Sequence, residues 1–158
     1  MNNNYSKNFR PKSSYPNSNK SDQKSNEVLD HLKSVLGSKD FSELSYEEIA
    51  KQDGIAEKLA RQRGALKVTQ LRKFFDQVKK IELNLSDKDW TDAVTRDFFM
   101  LRPQLAYAKG RDLISQEFFE QMSFCLDKVN ASVNKPEAYR RFSSLVEATV
   151  AYRKYHGD

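Results

Sequence analysis

Apolar positions along this chain return again and again at helical spacing. In VTQLRKFFDQVKKIEL (68–83), Leu71, Phe74, Phe75, Val78 and Ile81 recur three and four apart, which paints one apolar stripe on one helix. Thr69 or a neighbour is the expected N-cap of that helix. Upstream, Val28, Leu29, Leu32, Val35 and Leu36 predict an amphipathic segment that Gly37 stops. Ser45 with Glu48 has the pattern of a capping box and opens a short helix through Ile49 and Ala50. Ile55, Ala56, Leu59 and Ala60 mark a further helix ending before Gly64. Downstream, Ser86 followed by Asp89 predicts the next start, for a helix drawing its buried face from Trp90, Ala93, Val94, Phe98 and Leu101. Pro103 disfavours helical geometry at Arg102, so this helix is expected to bend or end there, with a new one running to Lys109 and closed by Gly110. SQEFFEQMSFCLDKV (115–129) places Phe118, Phe119, Met122, Leu126 and Val129 on one face. A last helix begins near Lys135, with Asn134 as cap and Pro136 in its first turn, and faces Tyr139, Phe142, Leu145, Val146, Thr149 and Tyr152 inward.

No stretch keeps a period of two for long, so the expected fold is all-α: a compact bundle of about five to six helices. Residues 27–158 are expected to form this single domain. Residues 1–26, rich in Asn, Ser and Lys, offer too few apolar groups to offset the entropy of ordering and are read as a disordered basic tail. No apolar run approaches the roughly 20 residues that span a bilayer. The first residues hold no apolar signal core, and Cys125 is the only cysteine, which fits a reducing compartment; a cytoplasmic, membrane-free protein is the expectation.

Charge changes the picture through its location. The 158 residues carry +5, but the first 26 hold five cations against Asp22, a net +4, and leave the bundle nearly balanced. Within the bundle, residues 61–80 gather Arg61, Arg63, Lys67, Arg72, Lys73, Lys79 and Lys80 against Asp76, a net +6. Opposite the apolar stripe of the 68–83 helix, Arg72, Asp76 and Lys79 follow one row, where Asp76 is positioned to pair with both cations. Lys73, Gln77 and Lys80 follow the next row, which has no acid. Such a run is often a solvated face, but cations aligned on a helix can also track phosphates independently of sequence.

In LRPQLAYAKGR (101–111), Leu101, Leu105 and Ala108 make the inward stripe. Arg102 and Lys109 share one flank; Gln104, Tyr107 and Arg111 share the other. Tyr107 offers a ring for base stacking or for packing with its hydroxyl bonded, and packing is the expectation. Catalytic chemistry finds little footing. His31 and His156 read as solvated surface groups, Cys125 as core, and neither a phosphate-binding glycine loop nor Cys–His metal spacing occurs. No cofactor and no metal are expected.

The segments TQLRKFF…VKKIE (69–82), LRPQLAYAKGR (101–111) and VEATVAYRKY (146–155), in this order and spacing across about residues 40–155, resemble the small helical subunit of type III-A CRISPR effector complexes, the Csm complex. The resemblance implies a non-enzymatic RNA-binding structural subunit. Several copies would stack along the guide RNA–target RNA duplex, beside the backbone subunit and the large subunit, which carry the catalytic activities. Position by position, it implies RNA-facing roles for Gln70, Arg72, Lys73 and Lys79 in the first segment and for Arg102, Tyr107, Lys109 and Arg111 in the second. The basic-face reading adds Lys67 and Lys80. Phe74, Leu105 and Tyr152 read as core. The basic tail has no counterpart in the resemblance. Two alternatives stay open: the small subunit of the sister type III-B complex, and a free-standing helical nucleic-acid-binding regulator.

Overall fold

Seven α-helices and one 3₁₀ turn make up the computed structural model among the residues it describes, 26–62, 64, 66–86 and 89–157. They are α1 (Glu27–Leu36), the 3₁₀ turn (Phe41–Glu43), α2 (Tyr46–Ala50), α3 (Ile55–Arg61), α4 (Val68–Leu83), α5 (Asp92–Gly110), α6 (Gln116–Asn130) and α7 (Lys135–His156). The expected all-α bundle is observed, with the two short helices α2 and α3 raising the number of elements. The only extended pairing among the described residues is an isolated antiparallel bridge between Leu66 and Ile114, which ties the approach to α4 to the loop after α5. The disordered-tail reading of residues 1–25 lies outside the described residues. Asn26, counted with the tail, is the N-cap of α1: its side chain accepts from the Leu29 N–H, donates to the Glu117 carbonyl and accepts from buried Gln121.

α7 is the spine. It packs against α2, α3, α4, α6 and the 3₁₀ turn, and Tyr139, Phe142, Leu145 and Val146 along it are fully buried. Phe74, Trp90, Phe98, Tyr139 and Phe142 form a chain of edge-on and tilted ring contacts with centroids 5.3–6.4 Å apart, a geometry aromatic quadrupoles favour. The Tyr139 hydroxyl, buried among them, donates to the Val78 carbonyl of α4 at 2.8 Å. Ser143 donates to Glu82 on the same helix. Farther along, Tyr152 donates to the Ala50 carbonyl at 2.7 Å and Arg153 to the Ala60 carbonyl at 2.9 Å, while Arg141, nearer the start, donates to the Leu44 carbonyl at 3.1 Å. These acceptors sit at the ends of short elements, where helical carbonyls lack partners of their own.

Local details depart from the sequence expectations in physically readable ways. α4 begins two residues earlier than a Thr69 cap would place it: Lys67 is the N-cap and supplies no side-chain bond. Ser86 does receive the Asp89 N–H at 3.0 Å, but α5 starts later, capped by Thr91. Ala93 faces solvent. At Ser45 the expected N-cap is present, while the reciprocal capping box forms instead at Asp40 and Glu43. The largest departure is at Pro103. α5 runs unbroken from Asp92 to Gly110 with the proline inside it. Buried Phe98, Leu101 and Leu105 anchor the helix on both sides of the proline, and the carbonyl deprived of its donor belongs to Phe99, which is 53% exposed. Gly110 is helical, and the left-handed residue that follows the helix is Asp112 (φ 54°).

Two expectations follow. Pro103→Ala restores an N–H without disturbing the buried face, so urea unfolding should show a gain of about 1–3 kcal/mol; an unchanged midpoint would mean that α5 is strained elsewhere. The second concerns Glu57, buried on α3. The Asp53 N–H, donating at 2.6 Å, and the Arg61 guanidinium hold its carboxyl down at about 2 against the upward push of burial, and His156 of α7 assists. A carboxyl lowered in the folded state adds stability that is complete above its unfolded value of roughly 4.3. That stability is lost as pH falls from there through about 2. Unfolding measured across pH 5 to 2 should therefore be flatter for Glu57→Gln than for the parent chain. Some acid sensitivity should remain, because burial pushes the Asp40 carboxyl up while hydrogen bonds from Ser132, Ser42 and Val133 outweigh it and hold that group near 2 as well.

Candidate nucleic-acid interface

α4 and the second half of α5 face one another across a cleft of about 510 Å³. Its floor is apolar, from Leu71 and Phe74 of α4, Leu105 of α5, and Ile114 and Phe118 beyond it. Its walls are polar. α4 contributes Gln70, Lys73 and Gln77, with Asp76 beside them, and α5 contributes Gln104 and Tyr107, with Arg111 at its C-cap. Each set steps by three and four residues, so each is one face of its helix. The unbroken course of α5 through Pro103 is what brings Tyr107 and Arg111 to this wall.

Tyr107 does not pack as expected. It is 65% exposed. Arg111, four residues on, donates to its hydroxyl at 3.2 Å and lies 5.6 Å from the ring centroid, so the two side chains stand as one amphipathic unit at the rim. On α4, Arg72, Lys73 and Lys80 are exposed and form no ion pair among the described residues; the same holds for Lys67 before the first turn. Lys73 and Lys80 lie about 10 Å apart along the axis and nearly in line. Asp76, expected to neutralise Arg72 and Lys79, pairs with neither and lines the cleft.

The remaining sequence candidates are engaged within the protein. Lys79 reaches Glu82 at 2.9 Å and Glu147 of α7 at 3.6 Å; the bond to Glu82 raises its pKa above the ordinary lysine value. Arg102 points to the other side of α5, where it pairs with Asp127 and donates to the Ser123 carbonyl at 3.3 Å, binding α5 to α6. Lys109 lies 3.8 Å from Asp112, an exposed partner. Upstream, Arg61 is held by Asp53 and Glu57, both at 2.8 Å, and Arg63 lies outside the described residues. Gln77 and Gln104 line the cleft although neither was a sequence candidate; each belongs to the same three-and-four row as a residue that was, and that row is the signal by which they could have been found.

Neither histidine is a free surface group. His31 lies 3.4 Å from Lys58, and burial together with that cation lowers its pKa; His156 lies 2.9 Å from Glu57. Burial pushes the Cys125 thiol well above its ordinary range, so it stays protonated in the core. No group of three or more His, Cys, Asp or Glu positioned to hold a metal ion occurs among the described residues, and no helix there is long and apolar enough to cross a membrane.

The family model described as Csm2 Type III-A matches residues 45–158, a span that begins at the cap of α2 and contains both walls of the cleft and all of α7. All three segments that carried the sequence resemblance fall inside it. No curated protein and no solved structure matches the chain.

The pairing of Arg102 is testable without any ligand. Arg102→Ala should lower stability by about 1 kcal/mol or less, and a double-mutant cycle with Asp127→Asn should return a coupling of a few tenths to about 1 kcal/mol. Strict additivity would free Arg102 from its structural role.

Proposed function

Because the chain belongs to the Csm2 Type III-A family, and is thus a small subunit of the type III-A Csm complex, we propose that it acts there as a non-catalytic RNA-binding element, laid in several copies along the guide RNA–target RNA duplex. The observation that carries this reading is the set of cations on the exposed side of α4 that are unpaired among the described residues, Lys73 and Lys80 in one row and Arg72 in the next, with Lys67 before the first turn, beside a cleft whose far wall holds Tyr107 and Arg111. Cations spaced along one helix meet successive phosphates and release counterions without reading sequence. In a guided complex sequence is read by base pairing, so that is the kind of contact a neighbouring subunit needs. Within this proposal Lys79 and Arg102 serve the fold, Lys109 stands at the margin, and Gln70, Arg72, Lys73, Lys80, Tyr107 and Arg111 face RNA. Contacts with the backbone and large subunits and with further copies have separate surface available. Phe99 and Met100 on the outer side of α5, and Leu83 at the end of α4, are large apolar groups left about half or more exposed. Residues 1–26 add a further +4 that suits the same polyanion.

The test is a salt titration of single-stranded RNA affinity, repeated in the assembled complex. Each phosphate contact on a single strand contributes roughly 0.7 to the logarithmic salt slope. Changing Arg72, Lys73 and Lys80 together to Glu should lower the slope by about two units, bring binding close to nothing, and leave helix content by circular dichroism intact. Lys79→Ala should leave the slope unchanged and cost stability instead. Identical slopes and affinities for the triple variant and the parent would reduce the cationic row to a solvated face.

A further inference from the structure

We infer that the cleft between α4 and α5 receives an unpaired nucleobase, so that the protein holds RNA by a base as well as by its phosphates. This inference rests on the RNA-binding reading and names the ligand of one part of that surface. Three features of the cleft point to a heterocycle rather than to phosphate alone. The first is its floor. Leu71, Phe74 and Leu105, themselves at most 8% exposed, back the cleft with apolar side chains that offer a phosphate no donor but suit the flat face of a base. The second is the amide content of the walls. Gln70, Gln77 and Gln104 carry both donors and acceptors, and none is bonded to another group among the described residues. That is the complement of the edge of a base, which also mixes donors and acceptors; a site for a bare anion would carry donors only. The third is the rim. The Tyr107 ring is exposed and bonded through its hydroxyl to Arg111, the kind of platform on which unstacked bases of single-stranded RNA settle. Lys73 and Arg111 flank the mouth, where the phosphates on either side of an inserted nucleotide would pass. The volume, about 510 Å³, falls in the range of roughly 300–1,000 Å³ of clefts that take small organic groups.

The experiment compares the full chain's affinity for a short single-stranded RNA of mixed sequence with its affinity for the same backbone made abasic, at one fixed salt concentration. Removing the bases should weaken binding roughly five- to tenfold, the low end of what base stacking on an aromatic contributes. That ratio should fall close to one in Tyr107→Ala and in the Gln70→Leu, Gln104→Leu double variant, and should persist in Tyr107→Phe, which keeps the ring. Tyr107 and Gln104 are exposed and Gln70 is half-exposed, none in the core, so these changes leave the core intact, which circular dichroism checks. Equal affinity for the two RNAs, with the salt slope of the α4 cations intact, overturns the base receptor and leaves the phosphate-tracking function standing. A base-dependent ratio that the cleft variants do not change places the bases elsewhere and likewise overturns it. Absence of RNA binding altogether overturns both readings. A change in the sedimentation of RNA-free protein on Tyr107→Ala, with the abasic ratio at one from the start, makes the cleft a seat for another copy of the chain.

Discussion

The arrangement depends on α7 supplying donors to the open ends of shorter helices. α2 has five residues and α3 has seven, so most of their carbonyls belong to a terminus, where no intrahelical donor reaches. Helices this short are marginal in water on their own account. Tyr152 and Arg153 close the carbonyls of Ala50 and Ala60, and the Arg153 guanidinium also reaches the Gln62 carbonyl at 3.3 Å. His156, at the far end of α7, then meets Glu57 on α3. A single long helix thus acts as the second half of the caps of its neighbours. Its other face fixes α4 through the Tyr139–Val78 and Ser143–Glu82 bonds and the ring contacts beneath them. The rotation of α4 about its axis, which decides whether Lys73 and Gln70 face the cleft, is set from behind by these contacts.

α5 supplies the facing wall, and its effect depends on continuity. A helix that stopped at Arg102 and restarted would leave the direction of residues 104–111 to the loop between. A helix that continues through Pro103 carries the direction set by Phe98 and Leu101 in the aromatic core out to Tyr107 and Arg111, more than a turn farther on. The proline's missing N–H falls on the exposed side, where water can satisfy the Phe99 carbonyl. Arg102 secures the same segment from the opposite flank through Asp127 on α6. The ion pair and the cleft therefore lie on two sides of one rigid element, and the pair contributes to the cleft by holding that element still.

The apolar periodicity of α1, α4, α6 and α7 made those helices, their inward faces and several of their caps legible in the sequence. That signal is local and repeated over several turns, and packing agrees with it. The start of α5 was misread because the Asp89 N–H donates to the Ser86 hydroxyl, the bond an N-cap makes, although the helix begins only at Asp92 under the Thr91 cap. Of the two outcomes expected at Pro103, a bend or an end, the helix does not end, because tertiary contacts on either side, which the sequence does not display, outweigh the lost hydrogen bond. At the candidate site, the approach of α4 and α5 could be argued from their two apolar stripes entering one core, and the cleft follows from that. The pairing of the cations could not. Asp76 sits at helical spacing from Arg72 and Lys79, yet Lys79 takes Glu82 within its own helix and reaches on to Glu147, sixty-eight positions away in the chain, while Arg102 turns to Asp127. Partners at that separation leave no local trace.

That sorting of charge is also what gives the surface its character. Residues 61–80 carry a net +6, which as a sum suggests a diffuse basic patch. In the folded chain Arg61 is absorbed by Asp53 and Glu57 on one side, and Lys79 by Glu82 and Glu147 on the other. Arg72, Lys73 and Lys80 keep their charge for the outside. They are exposed and spaced along about two turns of one helix, so their fields reach outward without converging on a point. A small anion gains most where donors converge, whereas a row gains most from a ligand that is itself a row of charges. Beside that row lies a cleft with an apolar floor and amide walls, which phosphate alone would leave empty. A polymer of phosphates bearing flat, polar-edged bases satisfies both features at once, and of the two it is the unpaired amides of Gln70, Gln77 and Gln104 that separate such a polymer from any other polyanion.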